Sequence, residues 1–354
     1  MKKFNVLDTT LRDGSYTINF SFTASDTAII CKELEKSGVG YIEVGHGAGL
    51  HASLSGHGKA AASDEEYMAA ARKSLKNAHY GMFCIPGIAR IEDLEAAKKH
   101  RMDFIRIGTN VDEIEISESF IRKAKKYGMM VAANYMKSYA LSPKEFAKKV
   151  LLSEKYGADI VYVVDSAGGM FIDEIQEYFS EIRKVSDIPL GFHGHNNLGM
   201  AVANSFEAVR MGFSFVDASL QGLGRSSGNA GTEALVGALE KRGYRTGIHF
   251  LELLKVGQKY IQPLITRKGE SPLDIVAGYS DFHSSYMPKI LACADQYHVD
   301  PEILIIEACR HSKVDVKKED LDRIAAKLSK KTGKKYIFMG RYNMDRYVGN
   351  EQEK

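Results

Sequence analysis

Eight short apolar runs, each followed by a stretch of helical periodicity, constrain this chain more than any other feature. The runs lie at residues 5–9, 40–44, 78–84, 104–107, 129–133, 160–164, 190–192 and 215–219, and they are rich in Val and Ile. Their hydrophobicity is nearly continuous rather than alternating, which marks strands covered on both faces, as parallel strands wrapped by helices are. The intervening stretches carry apolar residues three and four apart; Phe146, Val150, Leu151 and Leu152 with Tyr156 show the pattern. Glycines at 38, 128 and 157 stand where helices should stop before the next strand. Eight such units within about 240 residues predict a (β/α)8 TIM barrel. Periodicity alone leaves an open doubly wound sheet as the alternative.

The pattern breaks near residues 243–246. After Pro272 the chain reads as helices near residues 286–297, 301–308 and 318–330. The expected organisation is a barrel over residues 1–265, a C-terminal helical appendage over 266–345, and a loose polar tail over 346–354. A net charge of +3 over 354 residues is too small to argue for nucleic acid as a partner. The lysines crowding toward the end suit a solvated helix. Cys31, Cys84, Cys293 and Cys309 show neither CxxC nor metal spacing, which fits a reduced compartment. The N-terminus has no long apolar run behind its lysines, and no segment reaches bilayer-spanning length. The expectation is a cytoplasmic protein with no membrane partner.

Catalytic groups of TIM barrels sit at the C-terminal ends of the strands, and the polar clusters of this chain fall there. The most informative is His193-Gly194-His195. Side chains on a strand alternate, so both imidazoles project to one side and can share a divalent metal, leaving positions for a carboxylate and for water or substrate. Asp13, at the end of strand 1, is the natural carboxylate, since only strand 8 separates strands 1 and 7 in a barrel. The plain alternative is a pair of histidines bonded to loop carbonyls. Arg12 next to Asp13 reads either as a buried ion pair or as a planar donor for a carboxylate or enolate oxygen.

Taken in order, Thr10-Leu11-Arg12-Asp13-Gly14, Glu43-Val44-Gly45-His46-Gly47, Pro86-Gly87-Ile88, Val164-Asp165-Ser166, His193-Gly194-His195-Asn196-Asn197, Asp217-Ala218-Ser219 and Ser227-Gly228-Asn229 form a specific series. With this series the chain resembles the metal-dependent aldolases and lyases of the 3-hydroxy-3-methylglutaryl-CoA lyase-like (DRE-TIM) superfamily, and among them the 4-hydroxy-2-oxovalerate aldolases. The resemblance implies a divalent metal on Asp13, His193 and His195, Mn²⁺ foremost, with Mg²⁺ or Co²⁺ as alternatives. Asn229 matches a fourth ligand of some members. It further implies a 2-oxo acid substrate, Arg12 stabilising an enolate, Ser166 holding the substrate carboxylate, and Phe83 and Ile85 lining the aldehyde side. His46 is kept as a residue lining the site.

Two positions depart from the aldolase pattern. Tyr16 stands where the family has a histidine, the general base, and His283 stands where it has a tyrosine. One reading is an exchange of stations, with His283 as base and Tyr16 as its hydrogen-bonding partner; the other is a different substrate, or loss of the aldolase activity. The family also implies an acylating aldehyde dehydrogenase partner, or a homo-oligomer through the C-terminal helices. A Claisen-type acyl-CoA/2-oxo acid synthase of the same superfamily is an alternative. Gly14-Ser15-Tyr16 lacks the glutamate that such synthases carry. A metal-binding scaffold subunit without aldolase activity is another.

Overall fold

A computed structural model describes residues 3–265 and 271–332. The eight expected strands are all present: β1 (Asn5–Asp8), β2 (Tyr41–Glu43), β3 (His79–Cys84), β4 (Phe104–Asn110), β5 (Met130–Met136), β6 (Ile160–Asp165), β7 (Leu190–Gly194) and β8 (Phe215–Ala218). They pair in parallel in sequence order, and β1 closes on β8 through Asn5–Phe215 to Asp8–Ala218. That closure makes a barrel and removes the doubly wound alternative. β4 and β5 run three residues past their apolar runs, because Gly108, Thr109 and Asn110 pair with Asn134, Tyr135 and Met136. Arg106 therefore lies inside β4 rather than at its end.

The surrounding helices are α1 (Ala24–Lys36), α2 (Asp64–Ser74), α3 (Asp93–Lys99), α4 (Glu118–Lys126), α5 (Pro143–Tyr156), α6 (Ile172–Arg183), α7 (Ala201–Met211) and α8 (Thr232–Lys241). Their ends follow local chemistry. In α5, the Ser142 hydroxyl accepts from Glu145 N–H, Pro143 occupies the first turn, and Gly157 closes the helix at φ 105°. A short α9 (Phe250–Val256) then leads to α10 (Pro272–Ser280), α11 (Met287–Tyr297), α12 (Pro301–His311) and α13 (Lys318–Thr332). The last four share a hydrophobic cluster of their own, from Leu273 to Ala325, separate from the cluster under the barrel helices. The tail at 346–354 lies outside the described residues.

Inside the barrel, the side-chain period of two sets up layers. Leu7, Phe104, Ala132, Ile160, Tyr162 and Phe215 belong to one apolar cluster. Two residues further along their strands from Tyr41, Phe104, Ala132 and Phe215 stand Glu43, Arg106, Asn134 and Asp217, all buried. The interior thus changes from apolar to charged toward the strand C-termini. The appendage covers that end. Lys137, fully buried after β5, donates from Nζ to Tyr286 Oη at 2.9 Å and to the Val314 carbonyl at 2.7 Å. Asn197 Nδ2 donates to the Asp274 carbonyl at 2.9 Å.

Candidate active site

Past the charged layer, Asp13, His193 and His195 converge, with one potential ligand atom from each lying within 4.8 Å of the others. Both histidines are oriented from behind. His193 Nδ1 donates to Asp217 Oδ2 at 2.8 Å, and His195 Nδ1 donates to the Gly228 carbonyl at 3.3 Å. Neither partner can donate, so both Nδ1 atoms carry the proton and both Nε2 lone pairs are left bare. A ring nitrogen tied to a carboxylate or carbonyl, with the other nitrogen free, is the usual support of a metal-ligating histidine. Burial draws the His195 imidazole down to about 4, keeping it neutral.

Asp13 is likewise prepared. Arg12 Nη1 donates to Oδ1 at 2.7 Å, and Asn229 Nδ2 donates to Oδ2 at 2.8 Å. Burial pushes the carboxyl up, but Arg12, the two imidazoles and the Asn229 amide override it and hold it well below the usual carboxylate range. The Asn229 Oδ1 is buried with no hydrogen-bond partner. A buried orphan oxygen beside a carboxylate and two bare imidazole nitrogens is a donor set that suits a divalent cation of intermediate hardness. Asp13, His193 and His195 would hold such an ion, with Asn229 Oδ1 as an added oxygen donor.

Of the two readings offered for Arg12, the buried ion pair is seen directly. Its Nε donates to Glu43 Oε2 at 2.7 Å and its Nη1 to Asp13, which makes it part of a buried ion pair. Its Nη2 is engaged by neither bond, and its guanidinium lies 4.8 Å from the Phe83 ring centroid. Phe83 and Ile85 join Ala48, Ala52, Ile88 and Met136 in a small apolar cluster. Ser166 Oγ accepts from Lys137 N–H at 2.9 Å, leaving its own O–H to donate.

His283 caps the turn before α11. Its Nδ1 faces Ser285, with Oγ at 2.7 Å and backbone N–H at 3.2 Å. Burial, followed by the charges of Arg225 and Lys137, holds the ring well below its ordinary value and so neutral. Tyr16 is buried, with the Arg225 guanidinium 3.9 Å from its ring centroid. Tyr16 and Arg225 are thus in contact, and His283 lies within range of the Arg225 charge. His46 is tied to the backbone of its own loop. Its Nδ1 accepts from Ala48 N–H at 3.1 Å, its Nε2 meets the Gly58 carbonyl at 3.1 Å, and its ring stacks on Phe20. Both nitrogens are spent on backbone, so it shapes the 45–58 loop rather than offering an atom to a ligand.

Sequence reasoning missed the charged layer. Arg106 Nη1 donates to Glu43 Oε2 at 3.1 Å, and Nη2 to Asn134 Oδ1 and Asp217 Oδ2, each at 2.7 Å. The result is a loop of alternating charge, Asp13–Arg12–Glu43–Arg106–Asp217–His193, that leaves the metal group and returns to it. The available signal was a charged residue inside three otherwise apolar runs.

A closed parallel barrel with a carboxylate and two histidines at the strand C-termini defines a class of metal-dependent TIM-barrel proteins. The chain belongs to the HMGL-like family, whose model matches residues 3–259. It is 37% identical over 335 residues to a 4-hydroxy-2-oxovalerate aldolase of Moorella thermoacetica, covering 94% of this chain and 98% of the relative. It is 35% identical to a 4-hydroxy-2-oxovalerate aldolase of Carboxydothermus hydrogenoformans, covering 93% and 98%. The fold is shared with the HMG-CoA lyase of Brucella melitensis (TM-score 0.66, 21% identity, 75% of this chain and 99% of that one). It is also shared with the carboxyl transferase domain of Rhizobium etli pyruvate carboxylase (TM-score 0.75, 17% identity, 94% and 62%). Among the described residues no helix is long and apolar enough to cross a membrane.

Proposed function

We propose that the protein is a divalent-metal-dependent aldolase that splits a 4-hydroxy-2-oxo acid into pyruvate and an aldehyde, or joins them. One observation carries this reading: two imidazoles with anchored Nδ1–H and bare Nε2 converge on Asp13 beside Arg12. The names of the near-full-length relatives support it. Mn²⁺ is the metal proposed, because two imidazoles with one or two oxygens suit it and leave positions for a chelating substrate. When bound, the ion withdraws electrons from the 2-keto group as a Lewis acid.

The residues account for the rest. Ser166 O–H donates to the substrate carboxylate. Arg12 Nη2 faces the 2-keto oxygen and stabilises the negative charge that develops there. His283 takes the proton of the 4-hydroxyl on Nε2. Ser285 Oγ lies 2.7 Å from Nδ1 and accepts from Nδ1–H both before and after Nε2 takes the proton. The C3–C4 electron pair moves to C3, the aldehyde departs, and the pyruvate enolate is protonated at C3 by the proton that His283 took up, which restores the base. Phe83 and Ile85 keep water from that carbon.

An acylating aldehyde dehydrogenase or a second copy is proposed to dock on the C-terminal helices, where Ile275, Tyr279 and Ile303 are exposed. The separate hydrophobic cluster of those helices supports a subdomain boundary near residue 265. The test of the function is exchange of pyruvate methyl protons with deuterium, followed by NMR on the Mn²⁺-loaded protein. Metal-dependent exchange, abolished in Asp13→Ala, is expected. Tight metal binding without exchange would refute the reading.

A further inference from the structure

Arg225 is the long cation in the glycine-rich loop between β8 and α8, Gly222-Leu223-Gly224-Arg225-Ser226-Ser227-Gly228. The loop backbone is fixed on both sides of it. Gly228 N–H donates to the Arg225 carbonyl at 2.9 Å, and Asn229 N–H to the Gly222 carbonyl at 3.0 Å. Ser226 Oγ accepts from Asn197 Nδ2 at 2.8 Å and donates to Asp274 Oδ1 at 3.0 Å. Arg225 N–H itself points at the metal group, 3.3 Å from Asp13 Oδ2. The position of the side chain is therefore set by the same loop that carries Asn229.

The guanidinium is buried and lies against Tyr16, its Cζ 3.9 Å from the ring centroid, a cation held on an aromatic face. Tyr16 is itself seated against Gly47, where a Cβ would come within 2.5 Å of the ring. The Arg225 charge also reaches His195 and His283, acting on both imidazoles. Tyr16 and the Arg225 side chain thus lie together, beside a loop backbone whose Arg225 N–H is 3.3 Å from Asp13 Oδ2. The enolate half of a 4-hydroxy-2-oxo acid is served by the metal ligands, Arg12 and Ser166. The 4-hydroxyl, which becomes the aldehyde carbonyl, is served by His283. An alkyl aldehyde presents no acceptor to the fork of Arg225, whereas a carboxylate or phosphate accepts from it in pairs.

We propose that Arg225 is a specificity-determining residue that receives an anionic group, carboxylate or phosphate, on the aldehyde half of the substrate, with Tyr16 holding its guanidinium in plane. The proposal rests on the aldolase reading. The test is aldol addition of pyruvate by the Mn²⁺-loaded full chain to propanal, succinic semialdehyde and glycolaldehyde phosphate, with methyl-proton exchange measured on the wild type as a control. In the wild type, kcat/KM for one of the two anionic aldehydes should exceed that for propanal by about 100-fold, chiefly through KM. The preferred anion distinguishes carboxylate from phosphate. That ratio should collapse toward unity in Arg225→Ala and recover in part in Arg225→Lys. Arg225→Gln, which keeps a planar group over Tyr16, should also lose the ratio, and it replaces alanine if that variant does not fold. A kcat/KM for addition to propanal equal to or above that for both anions, or a ratio unchanged in the alanine and glutamine variants, would overturn this proposal alone. Absence of exchange in the wild type would overturn the aldolase reading and this proposal with it.

Discussion

Replacing Arg106 with Met should weaken metal binding without touching a ligand. Arg106 is fully buried in the middle of β4, and its guanidinium lies 4.4 Å from the Tyr162 ring centroid. Met keeps most of the length and the apolar contact, so the cavity term is small. What is lost is charge. Glu43 keeps Arg12, and Asp217 keeps His193. Burial pushes the Asp217 carboxyl up, and Arg106 is the largest influence that holds it down. Breaking a buried ion pair from one side costs about 3–5 kcal/mol. Part of that returns as Asp217 takes up a proton, and a protonated Asp217 no longer holds His193 Nδ1–H in the same way. Loss of such a supporting group typically costs about 10–100-fold in metal affinity. Mn²⁺ titration followed by the EPR signal of the free ion measures the affinity, and urea unfolding of the metal-free protein measures stability. Both should fall, and Arg106→Lys should lie between, since it keeps the charge and loses the fork. A variant several kcal/mol less stable with Mn²⁺ affinity within threefold of the wild type would refute the coupling of Arg106 to the site.

Asn229→Ala removes both the donor on Asp13 and the orphan Oδ1, so Mn²⁺ affinity should drop by about 10-fold or more in the same titration; unchanged affinity would remove Asn229 from the ligand set. His283→Ala should lower retro-aldol turnover by about 10²–10⁴ with Mn²⁺ content unchanged. Equal turnover with intact metal would take His283 out of the mechanism. Gly47→Ala forces a methyl against the Tyr16 ring and should cost about 1–3 kcal/mol in urea unfolding. Glu35 supplies the pH test. Its carboxylate accepts from the backbone N–H groups of Lys76, Asn77 and Ala78, and despite the opposing effect of burial these bonds hold it below its ordinary value. Its stabilisation should be complete above about pH 5 and fade as pH falls through the lowered folded value. Glu35→Gln should flatten that acid limb, and an unaltered limb would contradict the assignment.

Much of this protein is decided locally and is therefore legible in the chain itself. Strand and helix positions follow from side-chain periods, caps such as Ser142 and Gly157 act within a few residues, and the shared side of His193 and His195 follows from alternation along a strand. Asp13 could be joined to them because barrel order places only β8 between β1 and β7. The charged layer was not readable in that way. Glu43, Arg106 and Asp217 each look like an oddity inside an apolar run, and their pairing exists only once closure brings β2, β4 and β8 around one axis. Burial then makes each charge depend on its neighbours, because low-dielectric surroundings leave no water to substitute for a missing partner. His46 shows the reverse: its sequence position put it at the site, while the loop fold turned both ring nitrogens onto backbone atoms. Tyr16 and Arg225 come from distant segments, so only the tertiary structure could lay one on the other. The strand period decided where the metal ligands stand; the closed barrel and its covering helices decided which charges surround them.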